Sequence, residues 1–468
     1  MINPHVVLRS VIGRSRVVLG CNVLKSVLPP LLLLVSAGAF ANMASQASRA
    51  STDGIDVVTY PTGVKDVVVV IGVLPAGDAM GEPGNITIPT LTGMMLDRGT
   101  KVLDKFAIAD RLENVGAEIS FAVGAQSLEL HAKCLKKDLP MVMGLIAAQL
   151  RTPAFQSAEF AKAKQQFIGA LQQSMQSTEG RAQEAFGRAL FPPGHPNRPH
   201  SIAEYLAAAK TASLDDVRTF HAKYYGPAHM TLVLVGDVSA ADVQAQVGKA
   251  FEGWTGGHDY IRPARPAAAT AASEVSVPLS DKPSVSVILG QATGLKYRDT
   301  DALALRVGTA ILGHGFTGRL MGTVRDKEGL TYNIGAGMGQ DTIADGSWEI
   351  SASFAPALLD KGVASTRREL QKWWADGITD AELADRKQGL VGGYFVGLST
   401  SGGVAGTIVT LIQRGYELSW LDTYPEAIKA LTRTQVNTAI TSHLDPAKMV
   451  LVEAGSVKPA GGPPTAVP

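Results

Sequence analysis

Arg325 and Tyr332 are two side chains whose types and spacing could bind a carbonyl or a carboxylate group. They lie seven residues apart in GRLMGTVRDKEGLTYNIGAGMG, where the residues between them predict a turn from the end of a helix to the start of a strand. An arginine fork and a phenol brought together at such a turn can bind a peptide carbonyl or a carboxylate. The alternative is an exposed arginine beside an edge-strand tyrosine, and the spacing alone favours this alternative.

Other residue patterns that carry chemistry are missing from the sequence. None of the nine histidines lies four residues from another, the spacing that places two imidazoles on one helical face for zinc. His195 and His200 bracket prolines in FPPGHPNRPHS and predict a surface loop. The sequence also lacks a G-x-S-x-G nucleophile motif and a phosphate-binding loop that ends in Lys-Ser or Lys-Thr.

The size and composition of the chain limit its class. With 468 residues it is too long for one hydrophobic core, so we expect at least two domains. A net charge of +1 and scattered Lys and Arg residues argue against nucleic acid as the main partner. A basic amphipathic stretch that would bind a membrane surface is also missing.

Residues 1–41 have the order of a secretory signal peptide. A basic flank precedes the apolar run VLPPLLLLVSAGAFA, which ends at the cleavage signal Ala39-Phe40-Ala41. Because this run is too short to span a bilayer comfortably, we expect export to the periplasm rather than stable membrane insertion. Cys134 is then the one cysteine left, and the alternation around it predicts a buried strand position without a disulfide.

A linker divides the rest of the chain into two segments of similar length. Residues 260–283 are rich in proline and alanine, which predicts an extended and weakly structured linker. We therefore expect one domain at residues 55–259 and a second at residues 284–455, followed by a disordered tail at residues 456–468.

The two segments repeat the same order of elements. Each opens with an apolar strand and continues with a helix, a turn and two strands of period-two alternation. In the first segment these two strands are AEISFAVGA and SLELHAKCL, and in the second they are YNIGAGMG and SWEISASF. Paired amphipathic helices follow, and each segment closes with a helix and an apolar strand. Strands that meet in one sheet with helices mainly on one face predict a duplicated α+β domain.

These motifs resemble those of the pitrilysin-like metallopeptidases, especially the two-domain members akin to mitochondrial processing peptidase and its bacterial heterodimeric relatives. MMLDRGTKVLDKFAIADRLENVGAEISF is similar to the region after the zinc motif of that family, and GRLMGTVRDKEGLTYNIGA closely resembles its second-domain Arg/Tyr motif. The resemblance covers residues 55–455. Active members carry the inverted zinc motif H-x-x-E-H, followed by a short run that ends in Gly-Thr.

The resemblance implies that this chain has lost the zinc ligands. When PTLTGMMLDRGT is aligned through its closing Gly-Thr, Thr90 replaces the first histidine, Gly93 the glutamate and Met94 the second histidine. The distal glutamate ligand of the family falls near Ala170. These residues offer zinc no imidazole, thiolate or carboxylate, so no bound water would be acidified for attack on an amide. We expect the chain to bind no zinc and to be inactive alone.

The intact Arg/Tyr motif implies a partner subunit. In two-subunit enzymes of the family, a zinc-bearing chain faces a chain that supplies substrate contacts, and Arg325 and Tyr332 resemble those contacts. The resemblance implies a heterodimer that closes as a clam shell over extended, unfolded peptides, with zinc in the partner. Arg325 would bind a substrate carbonyl or carboxylate, and Tyr332 would donate to the developing oxyanion. Gly313 and Gly315 could shape a turn that touches the substrate.

A second interpretation is a zinc-free peptide-binding or scaffold protein without any peptidase role, such as a homodimer. In that case Arg325 and Tyr332 would serve binding only. An independent enzyme with some other site has little support, because the sequence carries no metal, nucleophile or phosphate-binding motif. The two leading interpretations differ in one respect that can be tested, since only the heterodimer requires a partner that carries the zinc motif.

Overall fold

The computed structural model describes residues 42–82, 84–257, 267 and 271–458. The predicted signal peptide and residues 459–468 of the predicted tail lie outside the described residues.

Two mixed sheets and the helices packed on them form the described chain. The strands are β1 Ser48–Thr52, β2 Ile55–Pro61, β3 Val67–Leu74, β4 Glu118–Val123, β5 Leu128–Leu135, β6 Thr231–Gly236, β7 Ser273–Pro278, β8 Val285–Ala292, β9 Thr331–Gly339, β10 Ser347–Phe354 and β11 Val450–Gly455. The α-helices are α1 Met43–Gln46, α2 Ile88–Gly93, α3 Lys105–Glu113, α4 Leu139–Arg151, α5 Ser157–Ser174, α6 Thr178–Leu190, α7 Ile202–Thr211, α8 Leu214–Tyr224, α9 Ala240–Phe251, α10 Ala302–Gly313, α11 Leu359–Asp376, α12 Asp380–Gly397, α13 Ser401–Gln413, α14 Trp420–Ala430 and α15 Arg433–His443.

The two sheets share one topology. In the first sheet the strand order is β1-β2-β6-β3-β5-β4, with β2 parallel to β6 and all other neighbours antiparallel. In the second sheet the order is β7-β11-β8-β10-β9, with β7 parallel to β11 and all other neighbours antiparallel. Strands β2, β6, β3, β5 and β4 therefore correspond to β7, β11, β8, β10 and β9. The predicted duplicated α+β fold is confirmed.

Part of the segment predicted as a linker is a strand. β7 lies within residues 260–283 and pairs in parallel with β11 along its whole length. Its sequence SEVSVP alternates as a strand does, but the surrounding prolines and alanines give the whole stretch the composition of a linker. Residues 260–266 and 268–270 lie outside the described residues. At the other end of the first half, β1 precedes residue 55, the expected start of the first domain.

Each sheet is covered on one face by a helix that comes from the other half of the chain. Helix α6, from the first half, packs on β8 and β11 of the second sheet. Helix α13, from the second half, packs on β3 and β6 of the first sheet. The first of these contacts joins Ala182, Phe186, Leu190 and Phe191 to Ile288, Val450, Val452 and Ala454. The second joins Val404, Ala405, Ile408 and Val409 to Val58, Ile71, Val73, Val233 and Val235.

This exchange of helices explains the composition of the central strands. β3 reads VVVVIGVL and β8 reads VSVILGQA, and nearly every position of both is buried. A strand covered on both faces needs apolar side chains at successive positions rather than alternate ones. β5 lies next to β3 and alternates instead, and there Cys134 is buried as predicted. Burial raises the pKa of the Cys134 thiol to about 11.

His195 lies at the contact between the two halves, not in a surface loop as its prolines predict. It is 3% exposed, and its Nε2 lies 3.1 Å from Oδ1 of Asp345 in the second half. The backbone N–H of Asn197 donates to His195 Nδ1, so in the neutral ring Nε2 carries the proton and donates to Asp345. The Asn197 amide donates to the carbonyls of Gln340 and Asp345. The segment is a loop as predicted and His200 is exposed, but the predicted surface position was wrong for His195 because the prediction considered only neighbouring residues.

Over the described ranges, no single helix is both long and apolar enough to cross a membrane. Helices α12 and α13 meet that test only together, by length and composition, and they are bent by 112° at their junction. In the fold, α13 buries its apolar face on the first sheet.

Candidate functional site

Arg325 lies on a helical segment that is wider than an α-helix. Met321–Lys327 is π-helical, and the N–H of Glu328 donates to the carbonyl of Thr323 five residues earlier, at 3.0 Å. Such turns redirect side chains and are frequent at functional sites. Gly329, with a φ of +64°, then reverses the chain into β9. The helix-to-strand turn predicted after Arg325 is therefore confirmed.

The Arg325 guanidinium lies between two exposed aromatic rings. Its Cζ atom is 5.1 Å from the ring centroid of Tyr332 and 5.2 Å from that of Phe316. Tyr332 is 85% exposed and Phe316 is 74% exposed. The nearest carboxylate is that of Asp326, whose Oδ1 lies 3.9 Å from Arg325 Nε. Within the part of the chain that the structure describes, neither the guanidinium nor the Tyr332 hydroxyl makes a hydrogen bond.

This arrangement leaves the hydrogen-bond donors of the site available to a ligand. Cation–π attraction holds a guanidinium through the ring faces, whereas its N–H groups point outward in its own plane. A peptide carbonyl can accept one of these N–H groups and a carboxylate can accept two. The Tyr332 hydroxyl can donate to an oxygen of the same ligand. The fold thus brings together the two residues that the Arg/Tyr motif selects.

Phe316 is part of this cluster, and the sequence did not point to it. It is carried by the turn Gly313–Gly318, between α10 and the helix that bears Arg325. Gly315 has a φ of +68°, and a Cβ atom on Gly313 would lie 2.2 Å from the backbone nitrogen of Ala336. The turn therefore requires glycine at both positions. The available signal was an aromatic residue inside a glycine-rich turn, which composition alone does not distinguish from ordinary loop sequence.

Thr90, which the motif alignment matches to the first zinc-binding histidine of active members, is buried on α2. Its Oγ1 donates to Oδ1 of Asp78 at 2.7 Å. Burial raises the pKa of Asp78 to about 7, and the hydrogen bond from Thr90 opposes that rise. This position therefore holds a hydroxyl group paired with a carboxyl group inside the first half.

Gly93, which the motif alignment matches to the catalytic glutamate of active members, faces a filled space. A Cβ atom built on Gly93 would lie 2.3 Å from Cγ2 of Val123 and 3.4 Å from Cδ1 of Leu128. Non-bonded carbon atoms do not approach so closely, because their optimal separation is about 3.5–4.0 Å. A side chain at this position would therefore require β4 to move.

Met94 and Ala170, which the motif alignment matches to the other two ligands, lie on segments that contact each other. Arg98, four residues after Met94, donates to Gln166, four residues before Ala170, at 2.7 Å. Met94 packs against the first hydrophobic core. Hydrogen bonds from lysine side chains, that of Lys105 above all, lower the pKa of nearby Glu159 to about 2. This carboxylate is thus held by cations of the chain itself. Across the described residues, no group of three or more His, Cys, Asp or Glu side chains could hold a metal ion.

Comparison with known proteins finds relatives in one peptidase family. A family model described as the Peptidase M16 inactive domain matches residues 211–390, which include Arg325 and Tyr332. The resemblance to the pitrilysin-like, or M16, peptidases is confirmed. The chain is 22% identical over 378 residues to a Helicobacter pylori protein named Non-peptidase homolog YmxG, covering 79% of this chain and 84% of that protein. It is 25% identical over 324 residues to an uncharacterized zinc protease of Streptomyces coelicolor, covering 67% of this chain and 69% of that protein.

Solved structures share the M16 fold. The crystal structure of a peptidase M16 inactive domain from Pseudomonas fluorescens superposes with a TM-score of 0.79 at 24% identity, covering 88% of this chain and 98% of that chain. The periplasmic protease PqqL from Escherichia coli superposes with a TM-score of 0.72 at 16% identity. That match covers 95% of this chain and 49% of PqqL, so this chain spans about half of the longer protein.

Proposed function

We propose that this chain is the non-catalytic, substrate-binding subunit of a heterodimeric zinc metalloendopeptidase that cleaves unfolded peptides in the periplasm. The partner is a homologous chain that carries the H-x-x-E-H motif and the zinc ion. Arg325 contributes to the partner's active site by binding a carbonyl or carboxylate of the peptide. Tyr332 donates a hydrogen bond to the oxyanion as it forms.

One observation carries this proposal. Arg325 and Tyr332 lie side by side at the surface with their hydrogen-bond donors unused by any described residue, while the zinc-motif positions of the same chain are paired or packed. A chain with the substrate contacts and without the metal ligands needs a second chain for hydrolysis. Export is supported by the signal-peptide pattern of residues 1–41, and a periplasmic protease shares the fold.

The test is reconstitution with a partner. The chain is purified alone and also co-expressed with a homologous chain from the same genome that bears H-x-x-E-H. Hydrolysis of an unfolded, internally quenched peptide and the zinc content are then measured. We expect no hydrolysis by this chain alone, and hydrolysis with one zinc ion per heterodimer after pairing. A partner in which the motif glutamate is replaced by glutamine is the matched control and should be inactive. Stoichiometric zinc on this chain alone, or hydrolysis by it, would contradict the proposal.

The alternative is a zinc-free peptide-binding or scaffold protein. It is supported by the name of the Helicobacter relative, Non-peptidase homolog. In that case Arg325 and Tyr332 bind a peptide that is not cut. Failure of every co-expressed zinc-motif chain to confer hydrolysis, together with retained peptide binding, would support this alternative over the heterodimer.

A further inference from the structure

Phe316 is exposed at a place where the fold constrains its position. Its ring is 74% exposed, and among the described large hydrophobic side chains of the second half only Tyr332 and Val396 are similarly exposed. Exposing a phenyl ring forgoes the free energy that its burial would supply. A single exposed apolar side chain is ordinary, but Phe316 adjoins Arg325 and Tyr332, and an apolar surface beside unused polar donors is a candidate contact for a ligand.

The turn that carries Phe316 is held by contacts with β9 and α12. Gly313 lies against β9 so closely that no side chain fits there, and Gly315 adopts a left-handed conformation. From α12, Arg386 Nη2 donates to the Thr317 hydroxyl at 3.2 Å and to the carbonyl of His314 at 3.4 Å. These contacts fix the backbone on both sides of Phe316, so the ring is presented at a defined place beside Arg325.

There is also open space next to the turn. Gly389 and Gly393 lie three and seven residues after Arg386, on the same face of α12. A Cβ atom at either glycine would meet nothing within 4 Å. The face of α12 that contacts the turn through Arg386 is therefore unfilled at both glycines.

We propose that Phe316 forms the floor of a subsite for an apolar side chain of the bound peptide, next to the backbone carbonyl that Arg325 binds. The inference rests on the proposed peptide-binding function and deepens it by naming a substrate class. An extended peptide advances about 3.3 Å per residue, and the Arg325 Cζ atom is 5.2 Å from the Phe316 ring. A side chain adjacent to the bound carbonyl therefore reaches the ring. Leucine or phenylalanine gains contact there, whereas alanine is too short and aspartate loses hydration.

The experiment measures binding of fluorescently labelled peptides to the purified full chain by anisotropy. The peptides share one uncharged host sequence and differ at one central position, which is Ala, Leu, Phe or Asp. We expect the Leu and Phe peptides to bind about 10-fold more tightly than the Ala peptide, because contact with an exposed ring buries only part of the added apolar side chain. Phe316→Ala should abolish the preference for Leu and Phe over Ala, and any change that it causes through Arg325 should weaken all four peptides by the same factor. Phe316→Leu, which keeps an apolar side chain, should retain part of the preference.

Two further variants separate this inference from the proposed function. Arg325→Gln should weaken binding of all four peptides by a similar factor, because it removes the contact to the backbone. Val396→Ala removes another exposed apolar side chain, 73% exposed, and should leave the affinity for all four peptides unchanged.

If Phe316→Ala keeps the wild-type preference, the proposed subsite is wrong. A loss of affinity in Arg325→Gln would still support the proposed function in that case. If Phe316→Ala weakens only assembly with a zinc-motif chain, Phe316 is a subunit contact and the inference is overturned. If no peptide binds and Arg325→Gln has no effect, the proposed peptide binding fails as well.

Discussion

The His195 Nε2 atom lies 3.1 Å from the Asp345 Oδ1 atom, and this hydrogen bond joins the two halves of the chain across 150 residues of sequence. Both side chains are buried. The second oxygen of Asp345 accepts from the backbone N–H of Ala267 at 2.6 Å. The His195 ring also stacks on Phe191, with centroids 4.5 Å apart. The junction between the halves is therefore a connected network of buried polar groups.

His195→Ala is expected to destabilise the whole chain. It leaves one oxygen of the buried Asp345 carboxylate without its partner, which costs about 2–3 kcal/mol in the free energy of unfolding. Urea denaturation followed by circular dichroism measures this change. His200→Ala, at the exposed end of the same loop, is the control and should stay within about 0.5 kcal/mol of wild type. Equal effects of the two substitutions would argue against a stabilising role for the junction.

Asp78 makes stability depend on pH. Burial raises its pKa to about 7 in the folded chain, whereas an unfolded aspartate titrates near about 3.9. Between these two values the folded chain binds more protons than the unfolded chain, so the free energy of unfolding falls as pH rises. Asp78→Asn should remove this decline and make the chain about 2–4 kcal/mol more stable than wild type at pH 8, with little difference near pH 4. Denaturation at pH 4, 6 and 8 tests this.

The matched control for Asp78 is Asp385→Asn, which removes an exposed carboxylate. Its stability should follow the wild-type pH dependence. If Asp78→Asn and wild type instead show parallel curves over this range, the buried carboxyl group does not titrate as described.

Gly93→Ala tests whether the space beside Gly93, the residue aligned with the catalytic glutamate, is closed to a side chain. The added Cβ atom would meet Val123 at 2.3 Å, and overpacking of this kind costs about 1–3 kcal/mol. Gly389→Ala adds the same atom on an exposed helical face with nothing within 4 Å, so it should stabilise the chain by about 0.5–1 kcal/mol. The double variant Gly93→Ala/Val123→Ala should show coupling between the two sites. If Gly93→Ala is as stable as wild type, then Val123 and β4 can move to accommodate the added methyl group at little cost in free energy.

Tyr332→Phe tests the oxyanion contact in the reconstituted heterodimer. Loss of a single oxyanion donor lowers kcat by about 10²–10³-fold, and KM should change little because the phenyl ring remains. Arg325→Ala should lower kcat/KM by a similar factor through loss of peptide positioning. Lys327→Ala removes a nearby exposed charge and is the control. Full activity of both site variants in an intact heterodimer would refute the cross-subunit role.

Much of the fold could be predicted from local patterns. The strands β5 and β10 follow the period-two alternation of SLELHAKCL and SWEISASF, and their bounds lie within a residue of those segments. The turn from Arg325 to β9 was also predictable, because a Gly after a helix and a β-branched residue at a strand start are local signals. The absence of ligand-type residues at Thr90 and Gly93 follows directly from the alignment of one short motif.

The site could be predicted only in part. The Arg/Tyr motif selected two of the three residues in the exposed cluster, but Phe316 joins them through a turn whose shape depends on contact with Ala336 and Arg386. Nothing in the neighbouring sequence reports such contacts. β7 was not predicted for the same reason. It lies in a stretch of linker composition, and its partner strand β11 lies more than 170 residues later in the sequence.

The sequence by itself determined the element order, the duplication and the identity of the residues at the zinc-motif positions, because these follow from periodicity and from residue type. Only the tertiary structure decided that α6 packs on the second sheet and α13 on the first. It likewise decided that His195 is buried against Asp345. It also decided that Val123 fills the space beside Gly93. The physical reason is that periodicity shows which face of an element is apolar, whereas the partner that covers that face is set by packing between residues far apart in sequence.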